Sequence, residues 1–432
     1  MSMNPAHART RFRQVRDLLL QILPFNAPAD QIIERYFKSN RQMGSKDRAF
    51  AAETVYGILR HLRELQALRR GLSECKIGEI DALIAIYLIS KGGWSARALE
   101  ASEYRDDAEA LVRQIRLADR AAWQDAEKLN LSDDAFQRLS QQYDAASLRE
   151  LALALNQPAP VDMRVNTQRS DRAQVKTQLA NEGFDCDETP YSPLGLRRQR
   201  RGPLFNTDAF KQGWIEIQDE GSQLIGLLMQ AKPRQRVVDF CAGAGGKTLL
   251  LAVQMRNRGE IIACDIAENR LRNMKPRLIR AAVDNVRTLL LSSENDSALA
   301  ALNGQCDAVL VDAPCSGSGT WRRNPDMKWR DIDVPSLQQQ QSQILQAASA
   351  LVKPGGRIVY ATCSLFDTEN EQVVAAFLAK NTDFKLVNAS EILNAENVNE
   401  AANLVTADGM MKLQPHRHQT DGFFAAVLGK DG

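Results

Sequence analysis

Residues that bind metals or build disulfide frameworks are scarce in this sequence. Its 432 residues include four histidines and seven cysteines, and the cysteines are odd in number and dispersed along the chain. No cysteine pair has the spacing of a metal site or a disulfide framework, so we expect reduced thiols, a cytoplasmic location and no bound metal. His416 and His418 form an i, i+2 pair, which does not by itself indicate a metal site.

Long apolar runs are also missing from the sequence. The longest run, from Ala82 to Ile89, is far shorter than the roughly 20 residues that cross a bilayer. The N-terminus lacks the apolar core of a secretory signal, because Leu18-Leu19-Leu20 is too brief and has Asp17 beside it. Hydrophobic residues make up 44% and charged residues 25% of the chain, a composition typical of a soluble globular protein. We therefore expect no membrane association.

The chain has no strong excess of either charge, since its net charge is +2. Its arginines nevertheless cluster in three places, and such clusters suit contacts with RNA phosphates. One cluster alone would favour a solvated surface slightly, but the combination favours an RNA partner. The clusters are Arg9, Arg11, Arg13 and Arg16; Arg197, Arg198, Arg200 and Arg201; and Arg322 with Arg323, the last two being candidate RNA-binding residues.

The spacing of apolar residues divides the chain into three regions. Residues 1 to about 145 have helical periodicity and no clear strand pattern, and a breaker-rich link lies around Asn156 to Pro160. Residues 160–220 predict a small α/β segment, with strands near Val161 and Trp214. From 221 to 432 strands and helices alternate, which predicts an α/β fold with a doubly wound, parallel, Rossmann-like sheet. Seven candidate strands begin at Arg236, Glu260, Val286, Asp307, Arg357, Phe384 and Phe423.

A Gly-rich turn follows the first of these strands. It is not a P-loop, because Cys241 occupies the position of the first glycine, and it is not a dinucleotide fingerprint, because Thr248 replaces the third. An adenosyl cofactor requires only a flexible turn and an acidic residue at the end of the next strand, where Asp265 stands. The alternative is a tight strand–helix turn in which Asp265 caps a helix.

Two cysteines each follow a strand of the predicted sheet. Cys315 lies in Asp312-Ala-Pro-Cys-Ser-Gly and Cys363 in Tyr360-Ala-Thr-Cys-Ser, each directly after a short apolar strand. Because the carboxyl ends of parallel strands form one ligand-binding edge, both thiols can face one pocket. A single isolated cysteine would be interpreted as an ordinary buried thiol. Two thiols flanked by polar residues at strand ends favour catalysis instead.

A thiolate beside an adenosyl cofactor suits methyl transfer to a poorly reactive carbon. The C5 carbon of a pyrimidine is too weak a nucleophile to take up a methyl group unaided. Addition of a thiolate at C6 moves electron density to C5, and a carboxylic acid near N3 would stabilise the adduct. Asp312 is placed for that role, and a second polar or thiol group would help to expel the first thiol.

These motifs resemble those of the Sun/Nop-type RNA cytosine-5 methyltransferases, most closely the bacterial branch that modifies small-subunit ribosomal RNA. The resemblance covers nearly the whole chain and is most specific at residues 312–319, 322–329 and 360–364. It implies that Cys363 is the nucleophile, that Cys315 assists product release and that Asp312 contacts the base. It also implies S-adenosyl-L-methionine as cofactor, held by Cys241, Ala242, Gly243, Ala244, Gly245, Gly246, Lys247, Asp265, Glu294 and Asp312.

Other segments resemble auxiliary parts of the same family. The segment beginning at Asp162 resembles the RNA-facing stretch before the catalytic domain, which makes Arg164 and Asn166 candidates for RNA contact. Residues 1–145 are similar to the helical antitermination factor NusB, with a generic helical bundle as the alternative. The chain departs from the family pattern within the Gly-rich turn and after the third strand. There Glu294 is our candidate for adenine contact, and the alternatives are Asn295 and Asp296.

The sequence thus predicts a monomeric, cytoplasmic RNA methyltransferase that forms 5-methylcytosine, with ribosomal RNA as the expected substrate. A transfer RNA methyltransferase with the same chemistry and a non-catalytic ribosome assembly factor remain as alternatives. DNA is a less favoured substrate, because Ser316 follows Pro314-Cys315 where DNA cytosine methyltransferases have glutamine.

Overall fold

The computed structural model of the protein describes residues 5–72, 77–200 and 202–432, so Cys75 and Arg201 lie outside the described residues. The chain forms two compact units, which we call the helical unit and the sheet unit. The helical unit comprises Met1–Pro158 and Thr320–Asp331, and the sheet unit comprises Ala159–Gly319 and Ile332–Gly432. This division differs from the predicted regions, because the helical unit extends past residue 145 and residues 160–220 form part of the sheet unit.

The described part of the helical unit contains ten α-helices, as the helical periodicity predicts. The apolar faces of the first seven helices share one core, in which Phe12, Leu59 and Ile84 are fully buried. Asp107 and Ser132 begin two of the helices by accepting hydrogen bonds from backbone N–H groups of the first turn. The helices are α1 (Pro5–Ile22), α2 (Ala29–Ser39), α3 (Ser45–Arg60), α4 (Leu62–Arg70), α5 (Glu79–Ser90), α6 (Ala96–Glu100), α7 (Ala108–Leu117), α8 (Asp125–Leu129), α9 (Asp133–Ser140) and α10 (Ala145–Leu155).

The last of these helices accounts for the later boundary of the helical unit. The Asp144 carboxylate accepts hydrogen bonds from the backbone N–H groups of Ala146 and Ser147, which begins α10. Leu151 and Leu155 are fully buried, and α10 packs against α8 and α9. In this division the helical unit extends past the predicted boundary near residue 145 by this one helix.

The segment Thr320–Asp331 belongs to the helical unit although it lies within the predicted methyltransferase domain. Its Lys328 is buried, and Nζ donates to Arg60 O at 3.1 Å, Asn130 O at 2.9 Å and Asn156 Oδ1 at 2.7 Å. Burial lowers the pKa of Lys328 to about 7, and the Arg60 charge acts in the same direction. The three oxygen acceptors match the three N–H bonds of an ammonium group and hold the segment in place.

The sheet unit begins with a four-stranded antiparallel sheet of order β2-β3-β1-β4. Met163 and Leu196 on the sheet pack against Val175 and Leu179 of a covering helix, and all four are fully buried. The strands predicted near Val161 and Trp214 are confirmed, the second one being shorter than expected. The elements are β1 (Val161–Val165), α11 (Arg172–Asn181), β2 (Asp187–Glu188), β3 (Gly195–Arg198), α12 (Asp208–Lys211) and β4 (Ile215–Ile217).

The larger sheet has the order β10-β12-β9-β8-β5-β6-β7, with β11 paired to β12. All seven predicted strands are present. The strands are β5 (Arg236–Asp239), β6 (Glu260–Asp265), β7 (Val286–Leu290), β8 (Cys306–Asp312), β9 (Val352–Thr362), β10 (Phe384–Val387), β11 (Met411–Leu413) and β12 (Phe423–Lys430). The helices around them are α13 (Glu220–Leu228), α14 (Gly246–Gln254), α15 (Glu268–Ala281), α16 (Val334–Ser349), α17 (Glu371–Lys380), α18 (Ala389–Ala395) and α19 (Pro415–His418).

The larger sheet is the predicted Rossmann-like sheet, and it departs from the parallel pattern at one edge. Strands β5 to β9 pair in parallel, whereas β12 runs antiparallel to β9, β10 and β11. The physical reason is the connection before β12, which contains only the short helix α19 after β11 and no long helical crossover. Antiparallel neighbours can be joined by such a short connection, but parallel neighbours need a crossover.

Both faces of the larger sheet are buried, as the continuous apolar strands indicate. On one face Val237 packs in a cluster that includes Leu251 of α14. On the other face Val238 packs in a cluster that includes Leu345 of α16 and Phe377 of α17. Because strands β5, β6, β8 and β9 are parallel, their carboxyl ends lie at one edge of the sheet. Polar side chains can lie together at that edge, since it is not covered like the two faces. Among the described residues, no helix is both long enough and apolar enough to span a membrane.

Candidate active site

The structure brings Cys315 and Cys363 together at the carboxyl edge of the larger sheet. Asp312 at the end of β8 is paired in register with Ala361 of β9, so the loops that follow the two strands run side by side. The Sγ atoms of Cys315 and Cys363 lie 3.3 Å apart, and both side chains are half-buried. One small substrate group could therefore reach both thiols.

The two thiols differ in their electrostatic surroundings. The hydrogen bond to Cys363 and burial both raise the pKa of Cys315 well above its usual range, and the charge of Glu369 adds to the effect. Cys315 is therefore held as a neutral thiol at physiological pH. Cys363, its partner in the hydrogen bond, is the predicted nucleophile.

The backbone around the thiols is held by a contact between two glycines. Gly319 N donates to Cys363 O at 2.9 Å, and Gly422 N donates to Gly319 O at 2.9 Å. A Cβ atom added to Gly319 would lie 2.0 Å from Gly422 O, which no side chain allows. Gly319 is required here because the two loops approach each other this closely.

An ion pair links the Gly-rich turn to the thiol site. Lys247 Nζ lies 2.6 Å from Asp312 Oδ2, with Lys247 almost fully enclosed. Burial by itself would lower the pKa of Lys247, but the charge and hydrogen bond of Asp312 outweigh it, so the pKa is raised. Lys247 therefore stays a cation and keeps a carboxylate beside the thiols.

The Gly-rich turn leaves open space where a ligand can approach the backbone. Gly243 and Gly245 have positive φ angles of 55° and 84°, and a Cβ atom added to Gly243 would meet nothing within 4 Å. Asp265 at the end of β6 accepts hydrogen bonds from Gly243 N and Ala267 N, both at 2.8 Å. Helix α14 begins at Gly246, and the N-terminus of a helix favours negatively charged groups.

Arg164 and Asn166 do not lie where RNA could contact them, which corrects the prediction. Arg164 is 2% exposed and donates from Nη1 to Gln218 Oε1 at 2.8 Å and Gly246 O at 3.1 Å. Asn166 is 4% exposed and donates to Gly213 O and Ala281 O, both at 3.2 Å. Both residues bind the protein's own backbone, and Arg164 supports the turn at the start of α14.

Comparison with known proteins identifies the family. Residues 226–429 match a family model described as 16S rRNA methyltransferase RsmB/F, and residues 135–204 match the ferredoxin-like domain of RsmF/B-like methyltransferases. The crystal structure of a methyltransferase homolog protein from Pyrococcus horikoshii is 30% identical with a TM-score of 0.60, and the match covers 72% of this chain and 100% of that one. The chain belongs to the RsmB/F methyltransferase family.

Curated relatives carry matching descriptions. The probable ribosomal RNA small subunit methyltransferase B of Bacillus subtilis is 34% identical over 281 residues, which cover 64% of this chain and 61% of that protein. The protein with the same description from Synechocystis is 28% identical over 451 residues, covering 97% of this chain and 99% of the relative. The crystal structure of PH0851 has the same fold over 100% of both chains, with a TM-score of 0.80 and 24% identity.

As a member of the RsmB/F family, the protein uses S-adenosyl-L-methionine as its methyl donor. The residues of the Gly-rich turn fit this cofactor, because the open side of Gly243 admits a ligand and the Asp265 carboxylate has lone pairs left for ribose hydroxyls. The start of α14 suits the carboxylate of the methionine part. Ile266, which follows Asp265 and is 63% exposed, offers an apolar surface that the sequence patterns did not single out.

The three residues considered for adenine contact lie in the loop after β7. Glu294 and Asn295 lie in the exposed loop after β7, where Asn295 Nδ2 donates to Glu294 Oε1 at 3.0 Å. Asp296 accepts hydrogen bonds from Ser292 and Ala298 of its own loop, so it caps the following short helix. Glu294 remains the prediction for adenine contact.

Of the two neighbouring arginines predicted to contact RNA, Arg322 is buried and Arg323 is half-buried. Arg322 is 6% exposed within the helical unit, so the expectation of RNA contact through its side chain does not fit its burial. Arg323 is half-buried and remains a candidate for RNA contact.

Three residues that were not predicted lie against the thiol loops, namely Glu369, Asn370 and Gln341. The sequence signal for two of them was the polar pair Glu369-Asn370, which begins six residues after Cys363 and which sequence patterns alone assign to a helix start.

Proposed function

We propose that this member of the RsmB/F family forms 5-methylcytosine in small-subunit ribosomal RNA through a covalent bond between Cys363 and the base. The observation that carries the proposal is the 3.3 Å separation of the Cys315 and Cys363 Sγ atoms beside the Lys247–Asp312 ion pair. Two thiols and a carboxylate at one sheet edge supply a nucleophile, a second sulfur and a base-recognition group. No other methyl acceptor requires this combination as directly as pyrimidine C5.

In the first step the Cys363 thiolate adds to C6 of cytosine. The Sγ–C6 bond forms, and the π electrons of the C5–C6 double bond move to C5, which becomes nucleophilic. When bound, S-adenosyl-L-methionine supplies an electrophilic methyl group. The protein's own contribution is to bring Cys363 and C6 together, because two oriented reactants need far less activation entropy than two free ones.

In the last step a water molecule takes the proton from C5 and Cys363 is expelled. The electron pair of the C5–H bond restores the C5–C6 double bond, and the Sγ–C6 bond breaks with its electrons on sulfur. Cys315, held neutral by its surroundings, lies 3.3 Å from that sulfur and can donate a hydrogen bond to the thiolate that forms. This interaction stabilises the leaving sulfur and assigns Cys315 to product release.

Asp312 recognises the base in this proposal. Its carboxylate is paired with Lys247 on one oxygen, and its side chain is 32% exposed, so it has lone pairs available for a substrate. A carboxylate accepts hydrogen bonds from the exocyclic amine of cytosine but would face the carbonyl oxygen of uracil. Asp312 therefore favours cytosine over uracil, and its register with Ala361 of β9 places it at the same sheet edge as Cys363.

Ribosomal RNA is the proposed substrate because the curated relatives are described as ribosomal RNA small subunit methyltransferases. The half-buried Arg323 and the exposed Arg200 are proposed RNA contacts, and the NusB-like helical unit is a proposed RNA-binding module. A transfer RNA with the same modification and a non-catalytic assembly role are the other outcomes that the test below distinguishes.

The test is bisulfite sequencing of total RNA from cells with the gene, without it, and with a Cys363→Ala variant. We expect one cytosine of small-subunit ribosomal RNA to lose protection in both altered strains. Loss in a transfer RNA would retain the chemistry and replace the substrate. Unchanged protection in every RNA of the strain lacking the gene would contradict the proposed activity.

A further inference from the structure

The serines that follow the two site cysteines share one carboxylate oxygen. Ser316 Oγ donates to Glu369 Oε2 at 2.5 Å, and Ser364 Oγ donates to the same oxygen in a short hydrogen bond. The two serine oxygens lie 3.1 Å apart. Glu369 is fully buried, and Ser316 and Ser364 are 1% and 2% exposed. The contact ties the loop after β8 to the loop after β9 immediately beyond the thiols.

The second carboxylate oxygen fixes the backbone on both sides of Cys315. Glu369 Oε1 accepts hydrogen bonds from Ser316 N at 2.8 Å and from Gln341 Nε2 at 2.9 Å. The same Gln341 Nε2 also donates to Pro314 O at 2.9 Å. The residues before and after Cys315 are thus both connected to Glu369, directly or through one amide group.

Asn370, the residue after Glu369, holds the residues on both sides of Cys363. Asn370 Nδ2 donates to Ser364 O at 3.0 Å, and Asn370 Oδ1 accepts from Thr362 Oγ1 at 2.5 Å. Thr362 Oγ1 also accepts from Ser364 N at 3.2 Å. The residues on either side of Cys363 are therefore held by the residue adjacent to Glu369.

A buried carboxylate is costly unless its oxygens accept hydrogen bonds, and Glu369 receives four. We propose that Glu369 is a positioning residue that holds Cys315 and Cys363 at the separation needed for both to act on one base. The proposal rests on the proposed function, since only covalent catalysis needs both thiols together. It adds a residue that touches neither base nor cofactor.

The negative charge of Glu369 has a second consequence for the pair. It contributes to the raised pKa of Cys315, after the larger effects of the Cys363 hydrogen bond and burial. A neutral Cys315 remains a hydrogen-bond donor to the sulfur of Cys363. Replacing Glu369 by glutamine keeps the size of the side chain but removes this charge, whereas alanine removes the hydrogen bonds as well.

The test separates formation of the protein–RNA adduct from its release. Formation requires Cys363, but release also requires Cys315 nearby, so Glu369→Ala should slow release more than formation. We expect release to slow by about 100-fold, the size of effect that a shift of about 1 Å can have. Glu369→Gln should recover part of the rate. The matched control is Glu371→Gln, because Glu371 pairs with Lys412 at 2.6 Å and should leave release unchanged.

A second measurement does not depend on RNA. Phenylarsine oxide reacts with two adjacent thiols, forming two As–S bonds and releasing one water. We expect one equivalent of the arsenical to bind to the wild-type protein and to the Glu371→Gln variant. Binding to Glu369→Ala should be tenfold weaker. The Cys315→Ser variant, which has lost one thiol of the pair, serves as the negative control. Equal arsenical binding and equal release rates in Glu369→Ala and wild type would overturn the positioning role. Absence of any adduct in the Cys315→Ala protein, in which release should be slow, would instead contradict the proposed function, while the arsenical result would still report on the thiol separation.

Discussion

Lys247 Nζ lies 2.6 Å from Asp312 Oδ2, and this ion pair connects the Gly-rich turn after β5 to the carboxyl end of β8. The pair links the cofactor-binding turn with the side chain proposed to recognise the base. Because Lys247 is enclosed by protein, its charge depends on Asp312, and the raised pKa of Lys247 reflects that dependence. Neither residue can be replaced by a neutral one without leaving the other unpaired.

The first prediction concerns this pair. Asp312→Asn should lower turnover by about 100-fold or more, the effect of removing one preorganised electrostatic contact. Lys247→Met should cause a loss of similar size, and the double variant should be little worse than either single one. Turnover is measured by transfer of radioactive methyl groups to RNA. The matched control is Lys353→Met, which breaks a pair with Asp307 near the amino ends of β9 and β8; a comparable loss there would contradict a specific role for Lys247.

The second prediction concerns Cys315. If it assists release, Cys315→Ala should form the Cys363–RNA adduct but expel it slowly, so a covalent complex should accumulate. Denaturing gel electrophoresis of the reaction with RNA would detect that complex. The Cys315→Ala/Cys363→Ala double variant should form none, and Cys306→Ala should behave like wild type because Cys306 is buried at the other end of β8. A Cys315→Ala protein that turns over normally would exclude the release role.

The third prediction concerns Asp265. Its carboxylate accepts hydrogen bonds from Gly243 N and Ala267 N and is proposed to bind the ribose hydroxyls. Asp265→Asn should weaken S-adenosyl-L-methionine binding about 10- to 100-fold, since hydrogen bonds to a charged group contribute roughly 1.5–3 kcal/mol. Isothermal titration calorimetry gives the Kd. Glu268→Gln, a nearby acidic residue at the exposed start of α15, is the control, and equal affinity in both variants would contradict the assignment.

The fourth prediction is a pH dependence that arises from Asp239 at the end of β5. Burial raises its pKa from the ordinary 3.8 to about 7, against the opposing hydrogen bond from Thr248. Between these values the folded protein binds more protons than the unfolded chain, so the contribution of Asp239 to stability falls as the pH rises. Above about 7 it no longer changes.

Urea unfolding of wild type and Asp239→Asn between pH 5 and pH 8 checks this sign. The free energy of unfolding of the wild type should fall relative to that of the variant by up to about 1.4 kcal/mol per pH unit below pH 7. For Asp284→Asn, which changes an exposed carboxylate, the free energy of unfolding should vary with pH in parallel with that of the wild type. Parallel curves for Asp239→Asn as well would show that the carboxylate does not titrate in this range.

Much of the fold could be predicted from local sequence patterns. The seven strands of the larger sheet are short apolar runs bounded by glycine or polar residues, and each is found where the sequence places it. Asp265 and the two cysteines directly follow such strands, so their location at one sheet edge required only the rule that parallel strands end on the same side. The helical character of the N-terminal region followed from its periodicity.

Other features depended on partners far away in the sequence. The resemblance of its segment to the family's RNA-facing stretch predicted an RNA contact at Arg164, yet this buried side chain donates to Gln218 and to Gly246 O, 54 and 82 residues away. The direction of β12 was missed because its antiparallel partner β11, a strand of three residues, was not among the predicted strands. Lys328 belongs to the helical unit because Asn130 and Asn156 supply its acceptors.

The sequence by itself determined the chemistry available to this protein: two thiols, a carboxylate, an adenosyl-type turn and the strands that carry them. Only the tertiary structure decided that Cys315 and Cys363 lie 3.3 Å apart and that Glu369 connects their loops. The physical reason is that residue type and strand pattern are local properties of the chain. Separation, burial and protonation are set by contacts between residues that folding brings together.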